Sequence, residues 1–419
     1  MVLEIKISNF RSIRDEVILD LRAGNISTEK SKKLSSNLFQ FNEIDVLKTV
    51  ALYGPNASGK SNIIKAIRFF HHLIFESHNF NQNVEFNCRP FKFDDYLNKP
   101  STYSIRFVAE NIEYLYSFSM NKNGILTEKL HHYPNGKKAK VFTRNERKSD
   151  DKREIYSFGT SVIKRPYDVA ESTSDKTLFI SRASQMDREI PKIIFNYFHR
   201  QFILNYHLYS VKHISGLLNS FKPQLLEGLQ LADSDIIDFT FKLNKQKGRS
   251  FTIDFPTEEY GFTDNETEEL EIKTFHRSSP DVAFDFANEE SLGTQKLFFI
   301  LLTIIDVVTN NKVLLIDEIE DSLHFKIIEY IITIFNQGDK AQLIFSTHNT
   351  RLLDFDKFRK DQIWFVNKKE NGASDLYSLY DYNEFRDTLD LEKAYLQGRF
   401  DSVPIVSEPA IIYRKKIDG

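Results

Sequence analysis

The chain has 419 residues, 41% of them hydrophobic and 27% charged, with a formal net charge of −3. This is the composition of ordinary globular protein, with length enough for two or more cores, and the slight acidity argues against wholesale coating of nucleic acid though not against a local basic groove. A single cysteine, Cys88, excludes an internal disulfide framework or a cysteine-based zinc site, and without an apolar run of about 18 residues or a secretory leader core the expectation is a cytoplasmic protein with no membrane partner.

Residues 1–22 alternate apolar and polar, with Leu3, Ile5 and Ile7, then Val17, Leu19 and Leu21, which predicts two strands joined by the turn Ser8-Asn9-Phe10-Arg11-Ser12. Residues 23–45 read as a polar loop. Lys48 to Tyr53 reads as a short buried strand, and Ile63, Ile64, Ile67, Phe70, His71 and Ile74 follow helical spacing. Between them lies Gly54-Pro55-Asn56-Ala57-Ser58-Gly59-Lys60-Ser61, a complete G-x-x-x-x-G-K-S phosphate loop in the strand–loop–helix setting it requires. Its glycines let successive backbone N–H groups turn inward at phosphate oxygens, and the helix start adds partial positive charge. Lys60 is then expected on the β- and γ-phosphates and the Ser61 hydroxyl on Mg²⁺. The chain is expected to bind a nucleoside triphosphate.

Residues 79–100 read as irregular. Tyr103 to Val108, Ile112 to Phe118 and Ile125 to His131 follow as a small antiparallel sheet, with turn residues between the runs. Residues 137–153 hold eight Lys or Arg against three acids and read as a solvated hairpin tip in preference to a nucleic-acid patch. The pattern turns helical from Pro191 to Leu231. Residues 257–271 carry seven acids and no base, the signature of an exposed loop or hairpin. From Val282 an α/β rhythm returns: Val313 to Ile316, Gln342 to Phe345 and Ile363 to Val366 are continuous apolar strands between helices starting near Thr294 and Phe325, as in a parallel sheet covered on both faces. Asp317 lies too far along the chain from Lys60 for a single crossover, so inserted material must interrupt that sheet.

The strand Val313-Leu-Leu-Ile ends in Asp317-Glu318. An acid delivered to the carboxyl edge of such a sheet falls beside a phosphate loop, where Asp317 can hold Mg²⁺ and Glu318 can polarise the attacking water. The strand Gln342 to Phe345 likewise ends in Ser346-Thr347-His348, and a histidine there can sense the γ-phosphate or the lytic water. Glu290-Ser291-Leu292-Gly293-Thr294-Gln295 opens a helix with a cap able to present N–H groups to an anion.

Read in order, the phosphate loop, S-x-G-x-Q, I-D-E and S-T-H resemble the motif set of ABC-type ATPase heads, among them the structural-maintenance-of-chromosomes, RecF-like and overcoming-lysogenization-defect classes. Asn9-Phe10-Arg11-Ser12, Glu290-Ser291 with Gly293-Thr294, Asp317 to His324, and Tyr395 with Gly398-Arg399-Phe400 narrow the resemblance to the stand-alone AAA-type ATPases of bacterial antiphage loci: abortive-infection, Septu-like and PARIS-like systems. The resemblance implies an α/β fold: an ABC-type head with an antiparallel β-subdomain and a helical insertion. It divides as 1–179 (lobe I, phosphate loop and β-subdomain), 180–280 (helical and hairpin insertion) and 281–419 (lobe II). It also implies that Ser291, Gly293 and Thr294 contact ATP held by another copy in a homodimer or higher homo-oligomer. His348 would be the switch histidine, Asp321 to His324 an interface loop, and Arg11 a neighbour of the nucleotide. Thr294 stands where the usual signature has a second glycine, and Gln82 is the nearest candidate for the Q-loop glutamine. Asp375, Asp381 and Glu384 read as surface charges, too sparse for a Toprim nuclease. The implied function is Mg²⁺-dependent ATP hydrolysis that controls a separate effector, a nuclease or toxin, in antiphage defence. The alternative is a DNA-binding repair or chromosome-maintenance ATPase, for which DNA is the partner.

Overall fold

The computed structural model describes the chain except residues 81–84, 150, 161, 205–209, 233, 255–258, 322, 383–388 and 401–419, and leaves the side chains of 246–267 undescribed. Gln82 and Glu384 therefore lie outside the described residues. The chain forms two compact units, one of Val2–Lys192 with Phe345–Gly419 and one of Ile193–Ile344. The α/β class read from the sequence is the observed one.

In the first of these units, a seven-stranded antiparallel sheet runs in the order Tyr156–Phe158, Ala139–Asn145, Gly124–Tyr133, Ile112–Asn121, Ser101–Ala109, Val2–Ser8, Val17–Asp20. The opening hairpin thus joins the sheet expected further along the chain, with Ile5 opposite Ile105 and Ile7 opposite Tyr103. Alternation sends Ile5, Ile7, Tyr103 and Ile105 to one face, against Ala66, Ile67 and Phe70 of the helix Lys60–Glu76. Phe70 lies 5.5 Å from Phe118 and 5.9 Å from Tyr116 between ring centroids. Burying each such side chain is worth about 1.5–3 kcal/mol, so the helix is held by this face along its length.

The fully buried strand Thr49–Tyr53 pairs in parallel with Ile363–Lys368, which pairs antiparallel with Ser374–Ser378. Residues 23–45 are not a bare loop. They contain the helix Glu29–Lys33, capped by Thr28, and the strand pair Leu38–Phe41 and Ile44–Leu47. Arg359 fastens this region from far along the chain, with guanidinium bonds to Ser31 Oγ at 2.7 Å and to Gly24 O at 3.1 Å.

The 137–153 stretch departs from a solvated tip: Ala139–Asn145 is a strand of the sheet, with Val141, Phe142 and Arg144 buried. Arg144 is fully buried, donating to Thr177 O at 2.6 Å, Ser174 O at 2.8 Å and Glu146 Oε1 at 2.7 Å, with Glu128 Oε2 at 3.5 Å. Glu128 in turn accepts from the Phe179 and Ile180 N–H groups and from Tyr116 Oη. Burial pushes the Glu128 carboxyl up, against the pull of Arg144 and those donors. Here the positive run serves a buried network.

The Ile193–Ile344 unit holds most of the helical and hairpin material. The strand Phe202–Ile203 pairs in parallel with Val313–Ile316. The helix Val211–Leu231 bends at Phe221, two residues before Pro223, which cannot supply an N–H. Two long strands, Ile236–Asp254 and Glu259–His276, form a hairpin, and Ser279–Asp285 adds a third strand at its base, so residues 259–271 of the acidic stretch are strand. The helix Leu292–Thr309 is the one described helix long and apolar enough by composition to cross a membrane. Its Leu297, Phe298, Ile300, Leu301 and Ile304 are buried, with Phe298 against Phe239 and Phe286 at 5.2 and 4.8 Å. Core packing accounts for its apolarity.

Candidate active site

The phosphate loop is built by the strand Thr49–Tyr53 and the helix Lys60–Glu76, as its sequence requires. Gly54 has φ 155° and Gly59 φ 118°. At Gly54 a Cβ would overlap Val366 O, and at Gly59 it would overlap Ser374 Oγ. Both glycines are demanded by backbone shape and by close approach. Ala57 also adopts positive φ, at 63°. No side chain caps the helix at Gly59, so its opening turn presents backbone donors to the loop's concavity.

Behind the loop, Ser374 Oγ donates to Ser58 O at 2.5 Å and meets Ser12 Oγ at 2.7 Å, while Asn62 Nδ2 donates to Ser12 Oγ at 2.7 Å. The Ser374 N–H donates to Ser12 O at 2.7 Å. Ser12 and Ser374 thus brace the loop from behind. Ser12 belongs to the N-F-R-S motif; Ser374 carries no local signal, because its role comes from a contact more than 300 residues distant.

Lys60 is 4% exposed, and its ammonium donates to Gly54 O at 2.7 Å, Pro55 O at 3.1 Å and His348 Nδ1 at 3.4 Å. The Thr347 N–H donates to Leu52 O at 3.0 Å, which pins the segment carrying His348 beside the strand leading into the loop. The phosphate-loop lysine and the strand-end histidine therefore meet. His348 itself is exposed.

The N-F-R-S motif divides its labour. Asn9, 2% exposed with φ 52°, donates to Tyr96 O and Lys99 O at 2.9 and 2.8 Å and accepts from Phe91 N at 2.9 Å. Phe10 is core. Arg11, φ 53°, gives its N–H to Arg89 O at 2.6 Å and turns its side chain onto a cavity beside the phosphate-loop helix. Near the far end of the described chain, Tyr395 and Phe400 stack on Phe365 at 5.9 and 4.8 Å, so that motif supports the strand paired with Thr49–Tyr53.

In the other unit, Val313–Ile316 is buried throughout and ends at Asp317, half-buried, and Glu318, exposed. Glu318 has φ 54°, a left-handed conformation that costs a non-glycine residue about 1 kcal/mol or more. The turn it makes is closed by Asp321 N–H to Glu318 O at 2.9 Å, and Lys296 pairs with Asp321. His324 caps the helix Phe325–Gln337 through Nδ1, 3.3 Å from Lys326 N.

Ser291 is the N-cap of Leu292–Thr309. Its Oγ accepts from Thr294 N at 3.1 Å and lies 2.8 Å from Thr294 Oγ1, so the threonine closes the cap with its hydroxyl. Gln295 Nε2 donates to Glu290 O and Ala287 O at 3.0 and 3.1 Å, and the Glu290 carboxylate holds His276 Nε2 at 2.7 Å. The cap faces outward: Ser291 is exposed, Leu292 is 83% exposed, and nothing but Ser291 Oγ lies within 4 Å of a Cβ built at Gly293.

Among the described residues no cluster of three or more His, Cys, Asp or Glu side chains could cage a metal. Mg²⁺ on a phosphate loop does not need one. It takes a hydroxyl, one carboxylate and phosphate oxygens, all hard donors, and Ser61 and Asp317 are of those types.

Strand, glycine loop, buried lysine and strand-end histidine in an α/β unit define a phosphate-loop nucleotide-binding protein. Residues 50–354, well over half of the sequence, match the family described as "AAA domain, putative AbiEii toxin, Type IV TA system", and the chain belongs to that family. No curated protein matches the sequence. Similar solved structures include an SMC head bound to the C-terminal winged-helix domain of ScpA, 15% identical over 94% of this chain and 99% of that one with a TM-score of 0.40. The SMC head domain from Thermotoga maritima is 13% identical over 90% and 98%, with a TM-score of 0.38. At that similarity neither bears on this chain's ligands or partners.

Proposed function

We propose that the chain is an ABC-type ATPase that hydrolyses ATP between two copies of itself and uses the resulting change of assembly to hold or release a separate effector, a nuclease or toxin, in antiphage defence. The observation that carries the reading is the meeting of Lys60 Nζ with His348 Nδ1 at 3.4 Å, which gathers at one place a phosphate grip and a group able to read the terminal phosphate. The family's description, with its toxin and toxin–antitoxin terms, supports the defence role.

In this mechanism the N–H groups of residues 54–61 enclose the β-phosphate, and the Lys60 ammonium exchanges its carbonyl partners for phosphate oxygens. Ser61 and Asp317 would hold Mg²⁺, which would supply Lewis-acid stabilisation of the phosphoryl oxygens. Glu318 orients and polarises the attacking water, and His348 hydrogen-bonds the γ-phosphate until it leaves. Ser291, Gly293 and Thr294 of one copy close on the ATP of the other. The outward-facing cap and the exposed Leu292 support such a contact, since an isolated large apolar side chain at a polar helix start is suited to burial by a partner. Loss of the γ-phosphate removes charge-assisted bonds from the interface, and the pair loosens.

Turnover per chain measured over a hundredfold range of protein concentration tests the core of this reading. It should rise with concentration toward a plateau, with the dimer seen by sedimentation in ATP. Full turnover by a strictly monomeric protein at every dilution would overturn it. For the biological role, phage challenge of cells carrying the locus with wild-type or Lys60→Ala protein should show protection only with the former. A steep, ATP-enhanced and salt-dependent affinity for duplex DNA, with no protection, would move the assignment to chromosome maintenance.

A further inference from the structure

The residue immediately before the Ser291 cap is an acid, Glu290, and the ATPase reading gives its side chain no part. A cap that closes on a triphosphate works through N–H donors and the positive end of a helix. A carboxylate turned toward that cap would repel the same ligand.

In the structure the carboxylate is turned inward. The Glu290 side chain is 7% exposed, and one oxygen, Oε1, accepts from Thr274 Oγ1 at 2.5 Å and from His276 Nε2 at 2.7 Å. A carboxylate only accepts, so Nε2 carries the ring hydrogen. The other ring nitrogen, Nδ1, lies 3.8 Å from Asp235 Oδ2, and Phe284 meets the ring edge-on at 4.7 Å.

Both donors belong to the base of the long hairpin. Thr274 and His276 are two apart on the strand Glu259–His276 and so share a face. The ladders on each side shift register at this point, between Ile236 and Asp238 on one neighbour and between Phe275 and His276 on the other. The base thus departs from regular pairing at the residue that grips Glu290. Residues 286–290 run from this base to the cap and are tied at both ends. The Phe286 N–H donates to Ile272 O at 3.0 Å, and Gln295, in the first turn of the helix Leu292–Thr309, holds Ala287 O and Glu290 O.

We infer that Thr274 and His276 are positioning residues for hydrolysis. They draw the Glu290 carboxylate away from the cap, so that Ser291, Gly293 and Thr294 offer only donors to the triphosphate of the other copy. The inference rests on the reading in which that cap acts across a dimer. Released, the carboxylate is itself attracted to the helix start, where it occupies the donors and opposes the γ-phosphate by charge. The hairpin base therefore sets whether the cap can close.

Turnover against protein concentration, measured on the whole chain carrying His276→Ala, tests this. The concentration giving half-maximal turnover should rise about tenfold or more. ATP affinity of dilute protein, read by equilibrium titration, should stay within about twofold, because the phosphate loop is untouched. Adding Glu290→Gln should return the half-maximal concentration to within about threefold of wild type, since the released side chain then carries no charge. A pair that only props the fold predicts the reverse, with the second change adding to the damage of the first. Should His276→Ala not fold by circular dichroism, Thr274→Val, which keeps the side-chain shape, should give a smaller shift that Glu290→Gln again reverses. The proposal is overturned if both single variants match wild type, if Glu290→Gln does not reverse the shift, or if ATP affinity falls in step with turnover. A wild-type chain whose turnover ignores concentration would instead overturn the dimer reading, and this proposal with it.

Discussion

The loop at residues 54–61 and the cap at residues 291–295 use the same materials, glycine, serine and a helix start, to different ends. The loop is buried and braced: Lys60 is 4% exposed, Ser374 and Ser12 hold it from behind, and its glycines touch neighbouring backbone and side chains. The cap is satisfied by its own residues, Ser291 with Thr294, and is open to solvent with Leu292 83% exposed. Glu318 belongs with the cap in this respect, exposed on a strained turn. In the proposed mechanism one half of the chemistry is therefore bound up with the stability of the fold, and the other half is presented outward. Changes in the first should be felt by both folding and ligand; changes in the second should be felt by turnover alone.

The sharpest way to break this contrast is Glu318→Gln. Turnover should fall by about 10²–10⁴-fold, the range for loss of a general base, with ATP affinity and melting temperature near wild type. Undiminished turnover in a steady-state phosphate-release assay would remove Glu318 from the mechanism. Lys60→Ala should act on binding: losing charged hydrogen bonds worth about 1.5–3 kcal/mol predicts roughly 10–100-fold weaker ATP in equilibrium titration. Gly59→Ala should lower stability by about 1–3 kcal/mol, because alanine must hold φ 118° against Ser374 Oγ; chemical denaturation reads this directly. The smallest effect is expected for Leu292→Asp. Stability should stay within about 0.5 kcal/mol of wild type, while the concentration dependence of turnover shifts to higher protein. If Leu292→Asp unfolds the chain instead, the cap is core and the contrast fails.

Much of this architecture was legible from local pattern. A strand of five buried residues, a glycine loop and a helix with apolar spacing predict one another, and so do the apolar runs ending at Asp317 and His348. The parts that were not legible are those made by distant residues. The pairing of Val2–Ser8 with Ser101–Ala109 follows from topology that alternation alone does not encode. Arg144 looked like one of eight surface charges because nothing in its neighbourhood announces Glu128 and the carbonyls of Ser174 and Thr177. The elements within residues 23–45 are short, and their anchor, Arg359, comes late in the chain. Of the groups given roles in the proposed mechanism, the lysine, carboxylates and histidine announce themselves as motif members. Ser374 does not, since a lone serine has no periodicity to read.

The brace behind the phosphate loop has a consequence for biosynthesis. Ser374 closes on Ser58 across 316 positions, and at about 5–20 residues per second a ribosome takes roughly 15–60 s to make that stretch. For that interval the nascent loop lacks its final support while the whole Ile193–Ile344 unit is being translated. The brace behind the loop is thus among the last features to mature, and an interrupted product would carry the motif without it.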